Sequence, residues 1–126
     1  MMFQTIHGAG VPQSDLPFSP AVKAGPVVFV SGQASVDEEG RIVNDTFAGE
    51  MRRSFENVIK VLAGAGLTMQ HVVKVSSYVG CQEDLAEYNK IYREYFKGPY
   101  PARTTLVGCL GDVVKFEVDV IAISDV

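Results

Sequence analysis

Several features that would place a chain in a special class are scarce in this sequence. Its 126 residues contain two cysteines, Cys81 and Cys109, and two histidines, which lie far apart and lack the paired spacing of a structural zinc site. The cysteines form no Cys-x-x-Cys motif, so we expect reduced thiols of the cytosolic kind. No apolar run approaches the ~20 residues of a membrane-spanning helix, and residues 1–5 do not resemble a secretory signal. We therefore expect a cytoplasmic protein that uses neither a metal nor a membrane.

Positive charge is also scarce, and it is dispersed. Eleven Lys and Arg residues stand against fifteen Asp and Glu residues, which gives a formal net charge of -4. The only adjacent basic pair is Arg52-Arg53. Proteins that bind nucleic acids concentrate positive charge on one surface, so DNA or RNA is a poor candidate for the main ligand.

The composition that remains is typical of one globular domain. Hydrophobic residues make up 47% of the chain and charged residues 21%, as in ordinary folded proteins. A chain of 126 residues is long enough to bury one core without a disulfide or a metal. No break in composition and no repeat divides it. The sequence therefore predicts a single domain over residues 1–126.

Hydrophobic patterning predicts where strands and loops lie. Residues 10–26 are rich in Gly and Pro and predict a long ordered loop or a set of turns. The following strand is predicted to be buried on both faces, and a polar turn at 37–40 predicts a hairpin after it. Strands are predicted at 27–31, 71–79, 104–107 and 114–123, and the pattern is compatible with a short early strand at 3–7.

Two other segments repeat their apolar residues every three or four positions, which defines the buried face of a helix. The first helix is predicted to begin after Thr46, a suitable N-cap, and to end at Gly64 or Gly66. The second is predicted to begin at residues 84–87, which have the spacing of a capping box with Asp in place of Ser or Thr. It stops before Gly98-Pro99, and we interpret its aromatic side chains as core packing.

The predicted order of elements is β-β-α-β-α-β-β. This order predicts an α+β fold in which two helices pack on one face of a sheet. The opposite face then needs a cover, which favours a homo-oligomer.

Arg103 and Glu117 are the candidate functional side chains that stand out, and each has a plainer interpretation. The planar fork of Arg103 suits a carboxylate, but a structural ion pair or an exposed strand end would also explain it. Glu117 lies between Phe116 and Val118. If those two face the core, Glu117 faces the opposite side and could act as an acid or base, or it is simply a solvated strand residue.

A third candidate is the segment Ser31-Gly32-Gln33, which closes a predicted strand. Backbone N–H groups near Gly32 could bind an anion, and the plainer interpretation is a β-bulge. The chain contains no Gly-x-Ser-x-Gly elbow and no phosphate-binding loop, which argues against a serine hydrolase or a nucleotide-binding enzyme. His7 and His71 are expected to be structural.

Taken together, several segments resemble the reactive-intermediate deaminase family, RidA, also called YjgF. They occur in the family's order and span nearly the whole chain. The fairly specific part is Pro-Ala-Arg followed about a dozen residues later by an apolar-Glu-apolar strand. The segments are Val30-Ser31-Gly32-Gln33, Ala65-Gly66-Leu67, Val72-Val73-Lys74-Val75, Asn89-x-x-Tyr92-x-x-Tyr95-Phe96, Tyr100-Pro101-Ala102-Arg103 and Val114-Lys115-Phe116-Glu117.

The resemblance implies a chorismate-mutase-like α+β fold and a homotrimer. In such a trimer the sheets face inward as a barrel, and the ligand clefts lie between subunits. It also implies hydrolysis of 2-imino acids, formed from enamines such as 2-aminoacrylate, to 2-oxo acids and ammonia. The partner is then a small 2-imino or 2-oxo acid, and no cofactor is implied because the imine is already electrophilic.

The same resemblance assigns roles to individual residues. Arg103 matches the family's anchor for the substrate carboxylate, and Glu117 matches the carboxylate that orients water or moves protons. Ser31 and Gly32 match the lining of the cleft. The backbone at Thr105 lies where it can help to position substrate or water.

Two departures from the family pattern concern the lining of the same cleft. Phe18 stands where the family's deaminases commonly have a tyrosine, so the ring is kept and the hydroxyl is lost. Thr105 replaces a cysteine found in many members, and Thr104 is bulkier than the usual small residue. The lost hydroxyl bears on rate and substrate, and Phe18 could make the pocket more apolar and shift the preference toward larger side chains. The matches at Arg103 and Glu117 favour deaminase activity.

Other functions remain open at this point. The same cleft would serve a protein that binds a small carboxylate without turning it over. The family's older description is an RNA-cleaving inhibitor of translation, which the acidic balance of this chain disfavours. A chaperone role has no specific signal in the sequence.

Overall fold

A computed structural model, which describes residues 2–124, contains one six-stranded sheet with two helices on one face. The strands are β1 (Gln4–Thr5), β2 (Ala21–Ala24), β3 (Val27–Ala34), β4 (Val72–Val79), β5 (Ala102–Val107) and β6 (Phe116–Ile123). The helices are α1 (Phe47–Gly64) and α2 (Leu85–Tyr95). The strands lie in the order β1-β2-β3-β6-β4-β5, and all neighbours are antiparallel except β4 and β5, which are parallel.

Helix α1 forms as its periodicity predicts. The Thr46 hydroxyl accepts a hydrogen bond from the Gly49 N–H over 3.1 Å and so satisfies one of the free donors at the N-terminus. The helix ends at Gly64, and Gly66 follows with a φ of 74°, a left-handed conformation that suits glycine. Fully buried side chains recur along its inner face: Met51, Phe55, Val58 and Leu62.

Helix α2 begins differently from the prediction. The predicted capping box at residues 84–87 is wrong, because Asp84 makes no side-chain capping hydrogen bond. Its own φ of -89° and ψ of -1° are already close to helical, whereas an N-cap residue needs an extended backbone to reach the free N–H groups. A short 3₁₀ turn, Gln82–Asp84, leads directly into the helix instead.

The region before α1 also differs from the prediction. Strand β2 lies inside the segment predicted as a loop and pairs with β3 across a tight turn in which Gly25 has a φ of 60°. The hairpin predicted after β3 is reduced to one isolated bridge between Val36 and Ile42. Because β2 has only four residues between Pro20 and Gly25, the turn-forming residues around it dominate the local pattern.

An aromatic cluster fills the space between the helices and the sheet. Phe55 is fully buried, and its ring centroid lies 4.8 Å from that of Tyr95, 5.7 Å from Phe116 and 5.9 Å from Phe96. Truncation of such a ring typically costs about 3–5 kcal/mol, since both burial and packing are lost. This cluster fixes α2, and therefore everything α2 carries, against the sheet.

Glu50 is a fully buried carboxylate that ties α1 to the start of β6. It accepts hydrogen bonds from the backbone N–H groups of Asp45, at 3.1 Å, and Lys115, at 2.9 Å. The Lys115 ammonium adds a third hydrogen bond at 3.1 Å. A buried charge is tolerated when it is paired and its oxygens are satisfied, as they are here.

The two faces of the sheet have different surroundings. Along β6 the side chains of Phe116, Val118, Val120 and Ala122 are buried beneath the helices, and the intervening residues face the other side. No helix of residues 2–124 packs on that other side, which we call the open face. On β3, Phe29 lies on the open face and is 44% exposed, so the prediction of a strand buried on both faces is wrong for the single chain.

Candidate functional site

Arg103 lies on β5, on the same face of the sheet as the helices. It is in register with the fully buried Val75 of the parallel neighbour β4. Its Nη1 donates a hydrogen bond to Asn89 Oδ1 over 2.9 Å. Its Cζ lies 4.8 Å from the ring centroid of Tyr92 and 5.0 Å from that of Tyr88, within the range of cation–π attraction.

These contacts orient the Arg103 guanidinium without neutralising it. No carboxylate of residues 2–124 lies within salt-bridge distance of it. Between a structural ion pair and an exposed strand end, the two plainer interpretations of Arg103, the contacts therefore fit the exposed strand end. A cation held by an amide and two aromatic faces keeps its charge available for an anion.

A cavity of about 260 Å³ opens beside this guanidinium. Its lining contains two arginines and no acidic residue. The lining residues are Asn89, Tyr92, Arg93, Tyr100, Pro101 and Arg103. Burial raises the pKa of Tyr92 to about 12, so its phenol stays protonated at neutral pH. The cavity is thus positively charged and suited to a small anion.

Thr105 follows Arg103 by two residues and lies on the same face of β5. Its hydroxyl and that of Tyr88 are 2.8 Å apart and share a hydrogen bond. This bond fixes the ring on which the guanidinium rests. The Thr105 side chain is therefore engaged with α2, and the role assigned to its backbone stays a prediction.

Glu117 lies on the open face, as predicted, between the fully buried Phe116 and Val118. Burial and the nearby negative charge of Asp119 raise the pKa of Glu117 above its ordinary value. Asp119 also accepts a hydrogen bond from the hydroxyl of Tyr78, which is the register partner of Glu117 on β4, over 2.9 Å. A carboxylate with a raised pKa on an exposed face suits a group that takes up and releases protons.

Gly32 makes room for this carboxylate. A side-chain Cβ built at position 32 would overlap Glu117 Oε2 and lie 3.2 Å from Glu117 Cδ. The register of β3 with β6 shifts between Val30 and Gln33, so the β-bulge considered for this segment is present. The bulge brings the backbone at Gly32 against the end of the Glu117 side chain.

Ser31 connects the bulge to the preceding loop. Its hydroxyl donates to the carbonyl of Ser19 over 2.6 Å, and its N–H donates to the carbonyl of Pro20 over 2.9 Å. The Ser31 N–H is thus engaged within the chain. The loop carries Phe18, which is 51% exposed and lines, with Gly32, a cleft of about 430 Å³.

The predicted site residues therefore form two groups on opposite sides of one chain. The anchor group consists of Arg103 and Thr105 on the helix face of β5. The carboxylate group consists of Glu117 with Gly32 and the loop tied down by Ser31. A ligand held by Arg103 in one chain faces away from Glu117 of that chain, because the two side chains leave the sheet in opposite directions.

Sequence reasoning missed the residues that hold the anchor. Tyr88 and Tyr92 were predicted as core packing, and they are fully buried and 4% exposed, respectively. Their rings also support the guanidinium, as does Asn89. The signal that could have found them was the spacing Asn89-x-x-Tyr92, which places both on the side of α2 that faces β5.

The remaining candidates have local roles. His7 Nε2 lies 3.0 Å from the Thr5 hydroxyl, and His71 Nδ1 accepts a hydrogen bond from the Thr68 N–H over 3.1 Å in a capping box. Cys81 and Cys109 are both exposed free thiols. Within residues 2–124, no three His, Cys, Asp or Glu side chains gather as a metal-binding group. In that same part of the chain, neither helix has the length and apolar character needed to cross a membrane.

The match to a family model decides the affiliation of the chain. Residues 10–124 match the family described as Endoribonuclease L-PSP. The chain belongs to the endoribonuclease L-PSP family. The resemblance to RidA seen in the sequence is thereby confirmed, since the RidA and RutC proteins belong to the same family.

Named relatives of this L-PSP family chain differ in what their names say about function. A RutC family protein of Pyrococcus horikoshii is 34% identical over 123 residues, which cover 96% of this chain and 98% of the relative. The human 2-iminobutanoate/2-iminopropanoate deaminase is 30% identical over 122 residues, covering 95% and 89%. Full-length similarity therefore extends to a named deaminase and to a relative named only by family.

Solved structures of the family confirm the predicted fold. Yeast Mmf1 superposes with a TM-score of 0.89 at 28% identity, covering 97% of this chain and 98% of that one. Escherichia coli TdcF, solved with bound serine, superposes with a TM-score of 0.85 at 30% identity, covering 95% and 98%. This L-PSP family chain thus has the chorismate-mutase-like α+β fold, a mixed sheet with two helices over residues 2–124.

Proposed function

We propose that this chain hydrolyses small 2-imino acids and their enamine precursors to 2-oxo acids and ammonia. The observation that carries the proposal is the pair of complementary groups on the two faces of the sheet. One is a guanidinium, Arg103, oriented by Asn89 and unpaired with any carboxylate of residues 2–124. The other is the Glu117 carboxylate, whose pKa is raised. The similarity to a human protein named as an imine deaminase supports the same reaction class.

The proposed chemistry needs these two groups and a water molecule. Arg103 binds the substrate carboxylate through its planar fork and so positions the neighbouring iminium carbon. Glu117 accepts a proton from water as the carbon–oxygen bond forms and returns it to nitrogen. The carbon–nitrogen bond then breaks, ammonia leaves, and Glu117 takes the proton of the new hydroxyl as that oxygen becomes the 2-oxo group. The iminium carbon is already electrophilic, so the proposal requires no cofactor.

We further propose that the site is completed between chains of a homotrimer. Because Arg103 and Glu117 face opposite sides of one sheet, they meet on one ligand only if the anchor of one chain approaches the carboxylate of another. The open face supports this assembly, since Phe29 is 44% and Ile123 38% exposed in the single chain. In this arrangement Phe18 and Gly32 form one wall of the cleft, and Thr105 lies beside the anchor.

The decisive experiment follows imine decay. 2-Iminobutanoate is generated in situ from 2-aminobutanoate by an amino acid oxidase, and its loss is recorded with and without the protein. We expect acceleration that falls about 100-fold or more in Arg103→Ala and in Glu117→Gln, since anchoring and proton transfer each contribute on that scale. Arg41→Gln is the matched control and should keep full activity, because Arg41 is exposed, pairs with Asp37 and lines neither cavity.

The mass in solution tests the assembly separately. Light scattering is expected to give three times 13.7 kDa. A monomer that still accelerates imine decay would contradict the shared site. An inactive trimer would contradict the enzymatic proposal itself.

A second candidate function is binding of a small carboxylate without turnover. The structure of TdcF with bound serine supports retaining this candidate. Saturable binding of 2-oxobutanoate that depends on Arg103, together with unaltered imine decay, would select it. The family's endoribonuclease description has a different signature, namely RNA cleavage that Glu117→Gln abolishes. The cytoplasmic location stays a prediction, because two fission-yeast relatives are named as mitochondrial proteins.

A further inference from the structure

The five arginines of the chain divide into two groups according to their partners. Three of them pair with carboxylates: Arg41 with Asp37 at 3.2 Å, Arg52 with Glu94 at 2.9 Å and Arg53 with Asp45 at 3.4 Å. Arg93 and Arg103 have no carboxylate of residues 2–124 within salt-bridge distance. Both of these unpaired arginines line the same cavity of about 260 Å³.

Both guanidinium groups donate hydrogen bonds to Asn89. Arg103 Nη1 donates to the Asn89 side-chain oxygen over 2.9 Å, and Arg93 Nη1 donates to the Asn89 backbone oxygen over 3.3 Å. Both cations border the cavity, and its lining contains no acidic side chain. A bound anion would therefore meet two positive charges that no carboxylate of the lining neutralises.

The rest of the lining suits a small anion with two acidic groups. Tyr92 and Tyr100 contribute aromatic rings, and Pro101 contributes an apolar wall. The volume that one chain contributes, about 260 Å³, suits a molecule of a few carbons. Each guanidinium can bind one carboxylate through its planar fork.

We propose that this cavity selects dicarboxylic 2-imino acids over monocarboxylic ones. Arg103 binds the carboxylate next to the imine carbon, and Arg93 binds the second carboxylate at the end of the side chain. The inference rests on the proposed function for the role of Arg103, and it adds Arg93 as the residue that sets substrate preference. A dicarboxylic substrate with a four- or five-carbon chain would place one carboxylate on each guanidinium.

Helix electrostatics explain only part of the observation. A basic residue in the last turn of α2 is favourable anywhere around the helix, because the C-terminus of a helix is partly negative. That effect accounts for a cation at position 93. It does not account for its place in the cavity that Arg103 lines.

The test measures binding of stable product analogues by calorimetry. 2-Oxoglutarate and oxaloacetate represent the dicarboxylic class, and 2-oxobutanoate the monocarboxylic class. We expect the protein to bind at least one dicarboxylate about tenfold or more tightly than 2-oxobutanoate, the scale of one charge-assisted contact. Arg93→Gln should remove this preference through a loss of dicarboxylate affinity that exceeds any change in 2-oxobutanoate affinity. Arg93→Lys should restore the preference only in part, because the fork is lost.

Lys90→Gln is the matched control. It removes one positive charge from the same helix at an exposed position outside the cavity lining, and it should keep the preference. An equal loss of the dicarboxylate preference in Lys90→Gln and Arg93→Gln would overturn the inference, since the net positive charge of the helix would then explain the preference. A preference that survives Arg93→Gln would also overturn it, as would equal affinity for both classes. Imine decay, followed on the same preparations, separates these failures from a failure of the proposed function, in which 2-iminobutanoate decays no faster with the protein than without it.

Discussion

Replacing Gly32 by alanine tests whether the position of the Glu117 carboxylate matters as well as its presence. An added Cβ would overlap Glu117 Oε2 and lie 3.2 Å from Glu117 Cδ. The φ of Gly32 is outside the left-handed region, so its backbone accepts alanine. The blocking atoms are the end of a flexible side chain, so we expect the fold to persist and the free energy of unfolding to change by less than about 1 kcal/mol.

The expected loss of activity follows from the displacement. The carboxylate must move by roughly 1 Å to regain an ordinary van der Waals contact. A misplacement of that size can cost about 100-fold in rate, or about 2.7 kcal/mol in transition-state stabilisation. The loss should appear in kcat for 2-iminobutanoate, because Arg103, the proposed anchor of the substrate, is untouched.

A double-mutant cycle assigns the effect to the contact. If Gly32 acts through Glu117, the variant that combines Gly32→Ala with Glu117→Gln should be no slower than Glu117→Gln alone. Imine decay and thermal unfolding are measured on the native protein, both single variants and the double variant. Two results would refute the reasoning. One is full activity in Gly32→Ala together with an inactive Glu117→Gln. The other is a double variant whose loss of rate equals the product of the losses in the two single variants.

Other predictions concern pH and stability. Asp119→Asn removes a negative charge that raises the pKa of Glu117, so the acidic limb of the pH profile of kcat should move to lower pH. An unmoved limb would contradict the assignment of Glu117 as the group that exchanges protons. Because the pKa of Glu117 is raised in the fold, the folded state binds this proton more tightly than the unfolded state does. The free energy of unfolding therefore falls as the pH rises from the ordinary pKa of 4.5 through the raised pKa. Glu117→Gln should therefore be more stable than the native protein at neutral pH in urea unfolding, with the difference vanishing below pH 4.5; a constant difference would argue against this origin. Glu50→Ala leaves the Asp45 and Lys115 N–H groups without their acceptor and should cost about 3–5 kcal/mol in the same assay, and a loss below 1 kcal/mol would be inconsistent with the buried pair.

Local patterns in the sequence determined most of the secondary structure. Helix α1 was predicted with its Thr46 cap and an end at Gly64 or Gly66, because side chains three and four positions apart share a face and burial repeats with that period. The alternation along β6 correctly placed Glu117 opposite Phe116 and Val118. The family affiliation also follows from sequence, since motifs in a fixed order are a property of the chain alone.

Tertiary structure decided which face of the sheet each functional side chain occupies. The direction of Arg103 depends on the parallel pairing of β5 with β4, which aligns it with Val75. The support from Asn89 depends on how α2 packs across β5. Neither relation has a local signal, because strand register and helix docking are set by contacts between distant parts of the chain.

The remaining differences have the same physical origin. Strand β2 is stabilised by pairing with β3 more than by its own four residues, so its composition did not predict it. Asp84 has capping-box spacing, but the preceding 3₁₀ turn holds its backbone near helical values. Periodicity along a chain reports which side of a helix or strand is buried. It does not report which element buries that side, because this depends on the fold as a whole. The placement of Arg103 and Glu117 on opposite faces of the sheet depends on the fold for the same reason.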